Sequence, residues 1–167
     1  RDQRDRVRVL WGACDALFTP RPLGPLFDIA AQTGGPVQAA LESGADRSAL
    51  FNAVLTELRR PALLIVEDVH WADEATLDLL RFVGRRIAST RALLVLTYRD
   101  DELGPRHPLR IVLGNFTAPG SARRIALAPL SEAAVRILVG DRRLDAAALH
   151  RQTGGNPFFL TEVLENE

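Results

Sequence analysis

Four runs of apolar residues predict the strands of a sheet. Residues 62–66 form a continuous apolar run after Pro61 that ends at two acidic residues. Such a run is typical of a strand buried on both faces of a parallel sheet. Residues 92–97 form a second buried run, residues 7–11 form a shorter β-prone run, and residues 124–127 are a weaker candidate.

In the segments between these runs, the apolar residues recur at the spacing of a helix. An apolar stripe predicts a helix over residues 46–59, and a shorter helix is expected over residues 26–32. Asp73 occupies the position of an N-cap, with Glu74 in the first turn of the helix that follows. The alternation of strands and helices predicts the α/β class, with right-handed crossovers between parallel strands.

The last part of the chain changes character, because only helices are expected there. They are predicted over residues 131–139 and 145–153, with Gly154 as a C-terminal glycine. Asn156 and Pro157 then begin a further helix as its cap and first residue. We therefore expect a core in residues 1–130 and a helical segment in residues 131–167.

Composition narrows the function classes. The 167 residues carry 21 basic and 21 acidic side chains, so no basic excess favours nucleic-acid binding. The chain has no Met, which suggests a piece of a longer protein, and all its basic residues are Arg. The single cysteine, Cys14, excludes an internal disulfide, and no apolar run reaches membrane-span length. A cytoplasmic location without membrane contact is expected.

The acidic pair Glu67 and Asp68 directly follows the 62–66 run. Ligands of open parallel sheets bind at the carboxyl ends of strands. Two carboxylates there suit a hydrated Mg²⁺ with phosphates, one holding the metal shell and the other orienting or deprotonating a water. The alternative is a solvated loop or a helix cap without a ligand.

The continuation VEDVHWADEATLDLL resembles the Walker B region of the STAND class of P-loop ATPases, and more narrowly that of large LuxR-type transcription regulators. The segments TYRDDEL, HPLR and TGGNPFFLTEVL add to this resemblance. It implies that Glu67 lies on the Mg²⁺ side and that Asp68 activates water. The opposite register, with Asp68 on the metal, stays open, because Glu67 replaces the commoner Asp of that motif.

The resemblance extends to two further motifs. Arg99 occupies the sensor 1 position, which implies a contact with the γ-phosphate. The alternative is an ion pair with a neighbouring acid: Asp100, Asp101 or Glu102. Gly155, Asn156 and Pro157 match the GxP motif of the helical lid, which implies that Pro157 lies against adenine. Glycine and proline at a helix junction can also be purely conformational.

Three other residues of the HWAD motif and two aromatic residues have structural interpretations. His70 could contact phosphate or relay a proton, or it could pack behind the strand end and bond to the backbone. Trp71 is expected in the core, and Asp73 as a helix cap. Phe158 and Phe159 are expected in the core of the lid.

The Walker A loop, GxxxxGK[ST], does not occur in the sequence, which contains no Lys. The resemblance therefore implies a P-loop NTPase-like sheet without its first strand and P-loop, followed by part of a helical lid. The first strand would lie between the strands at residues 92–97 and 124–127, so a gap or exposed edge is expected there. We expect these residues alone to bind ATP and Mg²⁺ weakly or not at all.

Three functions are consistent with the sequence. The first is part of an ATP-binding and hydrolysing switch of a bacterial LuxR-type regulator, which would contact DNA only through a separate domain and could self-associate. The second is a non-catalytic α/β interaction module. The third is the ATPase domain of a nucleotide cyclase fusion.

Overall fold

The computed structural model describes residues 7–116 and 122–166, which fall into two compact units, Arg1–Ala122 and Arg123–Glu167. The first unit contains three strands, β1 (Arg8–Ala13), β2 (Ala62–Glu67) and β3 (Ala92–Leu96). Its helices are α1 (Gly24–Thr33), α2 (Pro36–Glu42), α3 (Arg47–Glu57), α4 (Glu74–Gly84) and α5 (Pro108–Gly114). The second unit contains α6 (Glu132–Val139), α7 (Ala146–Thr153) and α8 (Pro157–Glu165).

The strands form a parallel sheet in the order β1-β2-β3. Leu64 of β2 pairs with Leu10 of β1 and with Leu94 of β3, so the three strands are in register across the sheet. Helices α1 to α3 connect β1 to β2, and α4 connects β2 to β3. The α/β class predicted from the alternation is confirmed.

One face of the sheet is covered by helices. Side chains of α1, α3 and α4 surround Leu64 and Val66 of β2, and these two residues are almost fully buried. Close approach of α1 to β1 requires a glycine at position 12, because a Cβ there would lie 2.5 Å from the carbonyl oxygen of Pro25. Gly12 is thus a packing requirement.

The opposite face is open, which corrects the prediction that the central runs are buried on both faces. Leu63, Ile65 and Glu67 of β2 are only half-buried, and every residue of β3 is half-buried or exposed. Val9 and Leu93 on this face are 56% and 63% exposed. An apolar run reports hydrophobicity but not which neighbour covers it, so two-sided burial could not follow from the run alone.

The two outer edges of the sheet differ. Side chains of α1 hydrogen-bond to backbone groups of β1. Gln32 accepts from the Trp11 N–H and donates to the Trp11 carbonyl, and Asp28 accepts from the Ala13 N–H. No strand pairs with the outer edge of β3 in the described parts of the chain. In those described parts, no side chain forms a hydrogen bond with the backbone of residues 93–96. The expected exposed edge is therefore present, at β3.

The fourth predicted strand is wrong. Residues 124–127 join no sheet in the described part of the chain, and Ile125 and Leu127 are both well exposed. A strand pairs with a neighbouring strand, and the described residues of the second unit form helices α6 to α8 and no strand. That unit also begins earlier than residue 131, because Leu130 is bound to it: the Leu130 N–H donates to the Gly155 carbonyl at 2.8 Å.

Polar caps begin the helices at the positions that the sequence pattern predicted. Asp73, Ser131, Asp145 and Asn156 each accept hydrogen bonds from first-turn N–H groups. Gly154 has the left-handed conformation expected of a C-terminal glycine. The two helices that were not predicted, α2 and α5, have seven residues each and begin with proline. None of the helices in the described ranges is both long and apolar enough to cross a membrane.

The second unit has its own small core of Val135, Val139, Ala146, Leu149 and Leu160. The prediction that its two phenylalanines belong to that core is wrong, since Phe158 and Phe159 are both more than half exposed. Helix α8 turns its Leu160 face inward, with Val163 and Leu164 beside it at helical spacing. The phenylalanines lie off that stripe.

Candidate functional site

The predicted site residues of the first unit converge at the carboxyl ends of the strands. Glu67 is the last residue of β2, Asp68 follows it, and Thr97 follows β3. The Thr97 N–H donates to the Val66 carbonyl, and the Val69 N–H donates to the Thr97 carbonyl at 3.0 Å. These bonds hold the two strand ends together beyond the regular sheet.

Asp68 has an unusual backbone conformation. Its φ of 52° and ψ of 40° lie in the left-handed region, which costs an ordinary L-residue about 1–2 kcal/mol. Its N–H donates to the Thr97 hydroxyl at 3.1 Å, and its carbonyl accepts from the Trp71 N–H at 2.8 Å. Strained non-glycine residues of this kind concentrate at functional sites, where the surrounding bonds maintain them.

Glu67 is placed differently. It alternates with Leu63 and Ile65 along β2, so its side chain lies on the open face of the sheet. In the described part of the molecule no hydrogen bond or ion pair to its carboxylate is found. Glu67 and Asp68 therefore offer two carboxylates at one strand end, and no Arg of the described residues forms an ion pair with either.

His70 lies between two carboxylates. Its side chain is 1% exposed, with Nδ1 3.9 Å from Asp68 Oδ1 and Nε2 3.3 Å from Glu102 Oε2. Neither ring nitrogen has hydrogen-bond geometry to any described group. The predicted packing behind the strand end is confirmed, but the predicted backbone bonds of the ring are wrong.

The backbone of His70 is held from the other side. His107 Nε2 lies 3.0 Å from the His70 carbonyl oxygen, while His107 Nδ1 accepts from the Leu109 N–H as the cap of α5. Since Nδ1 accepts, Nε2 carries the proton and donates to His70. The segment after β2 is thus fixed by both β3 and α5.

Arg99 pairs with one of the three neighbouring acids proposed from the sequence. Its Nη1 lies 3.3 Å from Glu102 Oε1, and its guanidinium carbon lies 5.9 Å from the Trp71 ring centre. The Arg99 side chain is 61% exposed. The structure therefore places Arg99 at the same edge as Glu67 and Asp68, in an exposed ion pair.

Trp71 and Asp73 have structural contacts. The Trp71 indole N–H donates to Glu102 Oε2 at 3.0 Å, and the ring is partly buried against the core. Asp73 caps α4 and also accepts from the Leu23 N–H at 3.2 Å, which anchors the loop before α1. The prediction that Asp73 is a helix cap is confirmed.

The buried thiol of Cys14 lies near several carboxylates at this edge. Burial raises the pKa of its thiol to about 12, helped by the nearby carboxylates of Asp73, Asp15, Asp68 and Asp28. The Cys14 N–H donates to the Glu67 carbonyl at 3.0 Å, so this residue adjoins the acidic pair. Cys14 is thus a buried thiol with several carboxylates nearby.

The remaining predicted residues belong to the second unit. Pro157 is exposed and begins α8, directly after the cap Asn156. Gly155 is buried with a φ of 73°, and a Cβ there would collide with the backbone of Leu130. The conformational interpretation of this motif therefore holds, and the contact of Pro157 with adenine stays a prediction.

Sequence reasoning missed Glu102 as a central residue and did not mention Thr97 as a partner of the Asp68 backbone. Glu102 was considered only as one of three acids beside Arg99. Its contacts with His70 and Trp71 join residues about thirty positions apart, which no local pattern reveals. Thr97 could have been found, because a hydroxyl residue at a strand end beside an acidic strand end is a local hydrogen-bond donor and acceptor.

Two carboxylates, those of Glu67 and Asp68, follow one another at this strand end. Mg²⁺ usually takes one or two protein carboxylates and completes its shell with water and phosphate oxygens. Glu67 and Asp68 supply that number. A cage made of protein side chains alone is not found, since no cluster of three or more His, Cys, Asp or Glu with metal-site geometry occurs in residues 7–116 and 122–166.

Comparisons with known proteins locate one relative and no named function. No family model matches the chain, and no solved structure matches it. The chain is 32% identical over 127 residues to an uncharacterized protein of Rhizobium meliloti (strain 1021). The match covers 70% of this chain and 11% of the relative, so the chain spans about a tenth of that protein's length.

Proposed function

We propose that this chain forms the Walker B and sensor 1 half of the nucleotide site in a STAND-class P-loop ATPase, the regulatory switch of a large LuxR-type regulator. The observation that carries the proposal is the convergence of Glu67, Asp68 and Arg99 at one edge of a parallel sheet. Carboxylates bind Mg²⁺, and a guanidinium binds phosphate oxygens, so this set suits a metal–nucleotide complex.

The open edge of β3 supports the same proposal. A P-loop strand from chain beyond these 167 residues would add beside β3, where backbone groups are unpaired by any described strand. It could not add beside β1, because Gln32 and Asp28 already occupy that backbone. The P-loop following such a strand would then lie next to Thr97 and Asp68.

In this proposal each residue has one task. Glu67 contributes a carboxylate to the metal shell, and Asp68 orients the attacking water and accepts its proton. Bound Mg²⁺ would neutralise charge on the β- and γ-phosphates. Arg99 donates to phosphate oxygens, and the Thr97 hydroxyl holds Asp68 in its strained conformation. The assignment of Pro157 and Gly155 to adenine rests on the motif resemblance alone.

The test begins with the complete reading frame that encodes this sequence. An in-frame GxxxxGK[ST] motif upstream supports the proposal, and its absence from the whole polypeptide overturns it. ATP binding and hydrolysis are then measured on that polypeptide. Asp68→Asn should retain ATP binding and lose hydrolysis by about 100-fold or more, the size typical of a lost general base.

Glu67→Gln should raise the Mg²⁺ concentration needed for hydrolysis, because it removes a metal carboxylate. If Asp68→Asn shifts the Mg²⁺ requirement and Glu67→Gln abolishes turnover instead, the two roles are exchanged. Asp78→Asn is the matched control, since Asp78 lies on α4 in an exposed ion pair with Arg47. Full hydrolysis in both site variants would overturn the proposal.

A second candidate is the non-catalytic interaction module. It is favoured by the open face of the sheet, where Val9, Trp11 and Leu93 are all more than 40% exposed. Exposed apolar patches often mark contact surfaces. ATP hydrolysis that depends on Asp68 would reject this candidate.

A further inference from the structure

Glu102 contacts three side chains that follow two different strands. Its Oε2 accepts from the Trp71 indole N–H at 3.0 Å and lies 3.3 Å from His70 Nε2. Its other oxygen, Oε1, lies 3.3 Å from Arg99 Nη1. One carboxylate therefore links the segment after β2 to the arginine after β3.

The two oxygens of Glu102 are held very differently. Oε2 faces the buried ring of His70 and the indole N–H of Trp71, which packs on His70 with ring centres 4.5 Å apart. Oε1 faces Arg99, whose side chain is mostly exposed. The carboxylate is fixed on its inner side, and its ion pair with Arg99 is open to solvent.

We propose that Glu102 is a positioning residue that holds Arg99 in an ion pair while no ligand is bound. We call this paired state the stowed position of Arg99, and a phosphate-bearing ligand displaces Arg99 from it. This inference rests on the proposed function, because it assumes that Arg99 is the phosphate contact. Glu102 and a phosphate present similar oxygen acceptors to the same guanidinium, so the two compete. Glu102 itself would stay attached to Trp71 and His70 when Arg99 leaves.

The exposed ion pair sets the size of the effect. Pairs with this much solvent contact are weak, so Glu102 should lower the affinity of Arg99 for phosphate by a factor of about two to five. Removing its charge should raise phosphate affinity by the same factor. A weak restraint of this kind biases the position of Arg99 without preventing its movement.

The indole N–H of Trp71 serves as a spectroscopic probe of the Glu102 carboxylate. The chain has two tryptophans, and Trp11 lies on the open face, with hydrogen bonds to Gln32 that involve its backbone and not its ring. Trp11→Phe therefore leaves Trp71 as the source of the indole signal. In ¹H–¹⁵N spectra that signal reports the charge on Glu102, its acceptor.

The experiment titrates inorganic tripolyphosphate into the 167-residue chain carrying Trp11→Phe, at concentrations up to the tens of millimolar that weak phosphate binding without a P-loop requires. The Trp71 indole peak should move towards its position in the Trp11→Phe/Arg99→Gln variant, in which Glu102 has lost its guanidinium. Adding Glu102→Gln should lower the half-saturating concentration about two- to five-fold. This concentration is measured by calorimetry in both proteins, because the Trp71 signal no longer has a charged acceptor in Glu102→Gln. The amide oxygen that Glu102→Gln introduces can still accept from Trp71, so this change removes charge and keeps the hydrogen bond.

Two controls separate the restraint by Glu102 from general charge effects. Asp101→Asn removes a neighbouring exposed carboxylate and should change the half-saturating concentration less than about 1.5-fold, as expected of one weak exposed charge. The Arg99→Gln variant should show no peak movement with tripolyphosphate. Equal half-saturation with and without Glu102→Gln, or no movement in either protein, would overturn the inference.

These outcomes can be told apart from those of the proposed function. ATP hydrolysis by the complete polypeptide that needs Asp68, with no Glu102 effect on tripolyphosphate, would overturn the stowed position of Arg99 alone. A clear Glu102 effect in a polypeptide without ATPase activity would overturn the switch and leave an arginine-based phosphate contact.

Discussion

The two ends of the parallel sheet differ in whether their carboxylates are buried and paired with an arginine. At the amino end of β1, Arg8 Nη1 lies 2.7 Å from Glu57 Oε2, and Nη2 donates to the Glu57 carbonyl at 2.6 Å. The Glu57 side chain is 5% exposed, so this pair is closed to solvent on the carboxylate side. At the carboxyl end, Glu67 and Asp68 lie half-buried, and neither pairs with an Arg of the described residues.

The two ends of one sheet therefore differ in burial and in ion pairing. The amino end joins β1 to the end of α3 through an ion pair, and its carboxylate is not accessible to a ligand. The carboxyl end combines a strained backbone at Asp68, a buried His70 ring without a hydrogen bond to any described group, and an exposed ion pair at Arg99. Buried polar atoms without a hydrogen bond occur at both ends, since Arg8 Nε and Glu57 Oε1 also lack one. The backbone strain at Asp68 and the exposed ion pair at Arg99 therefore distinguish the carboxyl end.

The largest effect is expected from breaking the amino-end pair. Arg8→Met removes the partner of a buried carboxylate and should lower the free energy of unfolding by about 3 kcal/mol. Urea unfolding followed by circular dichroism measures this loss. The Trp71 indole signal at the other end should stay in place, since Trp71 has no contact with this pair.

The control for this prediction is the double variant Arg8→Met/Glu57→Gln. It removes both charges, so it should recover part of the lost stability, because no buried charge is left alone. A double variant that is less stable than Arg8→Met would show that the pair contributes through something other than charge.

For each pH unit above 9, a smaller effect than that of Arg8→Met is expected from Cys14. The folded-state pKa of about 12 lies above the usual value of 9.0, so the folded protein keeps the thiol proton that the unfolded chain loses. Stability from this group is complete below pH 9 and is lost as the pH rises towards 12. The slope should reach about 1.4 kcal/mol per pH unit.

Urea unfolding at a series of pH values on either side of the usual thiol pKa measures that slope. Cys14→Ala should be less stable than the parent chain below pH 9, because it leaves a cavity. Its pH dependence should be flatter, so the difference in stability should shrink as the pH rises above 9. Equal slopes in the two proteins would mean that burial and the surrounding carboxylates do not act on the thiol as their proximity suggests.

Sequence patterns predicted all three strands, β1, β2 and β3, because apolar runs and turn residues are local signals. They also placed Asp73, Ser131 and Asp145 correctly, since an N-cap is recognised from the few residues that follow it. The acidic pair at Glu67 was found for the same reason. Local signals were sufficient for these features.

The features that were missed or wrong depend on distant neighbours. Two-sided burial of β2 requires a second layer of helices, which the run itself does not encode. Glu102 became central only through Trp71 and His70, which lie about thirty residues earlier in the chain. The Arg8–Glu57 pair likewise joins positions 49 apart in the chain, and no local sequence pattern indicates it.

The smallest effect should come from the backbone of Asp68, and it tests whether strain is stored at the carboxyl end. Asp68→Gly and Asp68→Ala both remove the carboxylate, but only Gly adopts the left-handed conformation without a Cβ penalty. The Gly variant should therefore be more stable than the Ala variant by about 1 kcal/mol, measured by urea unfolding. Both variants should lose ATP hydrolysis in the complete polypeptide alike, so stability and activity would separate. If Ala were as stable as Gly, the strain would be absent, and the contrast between the two ends would rest on charge alone.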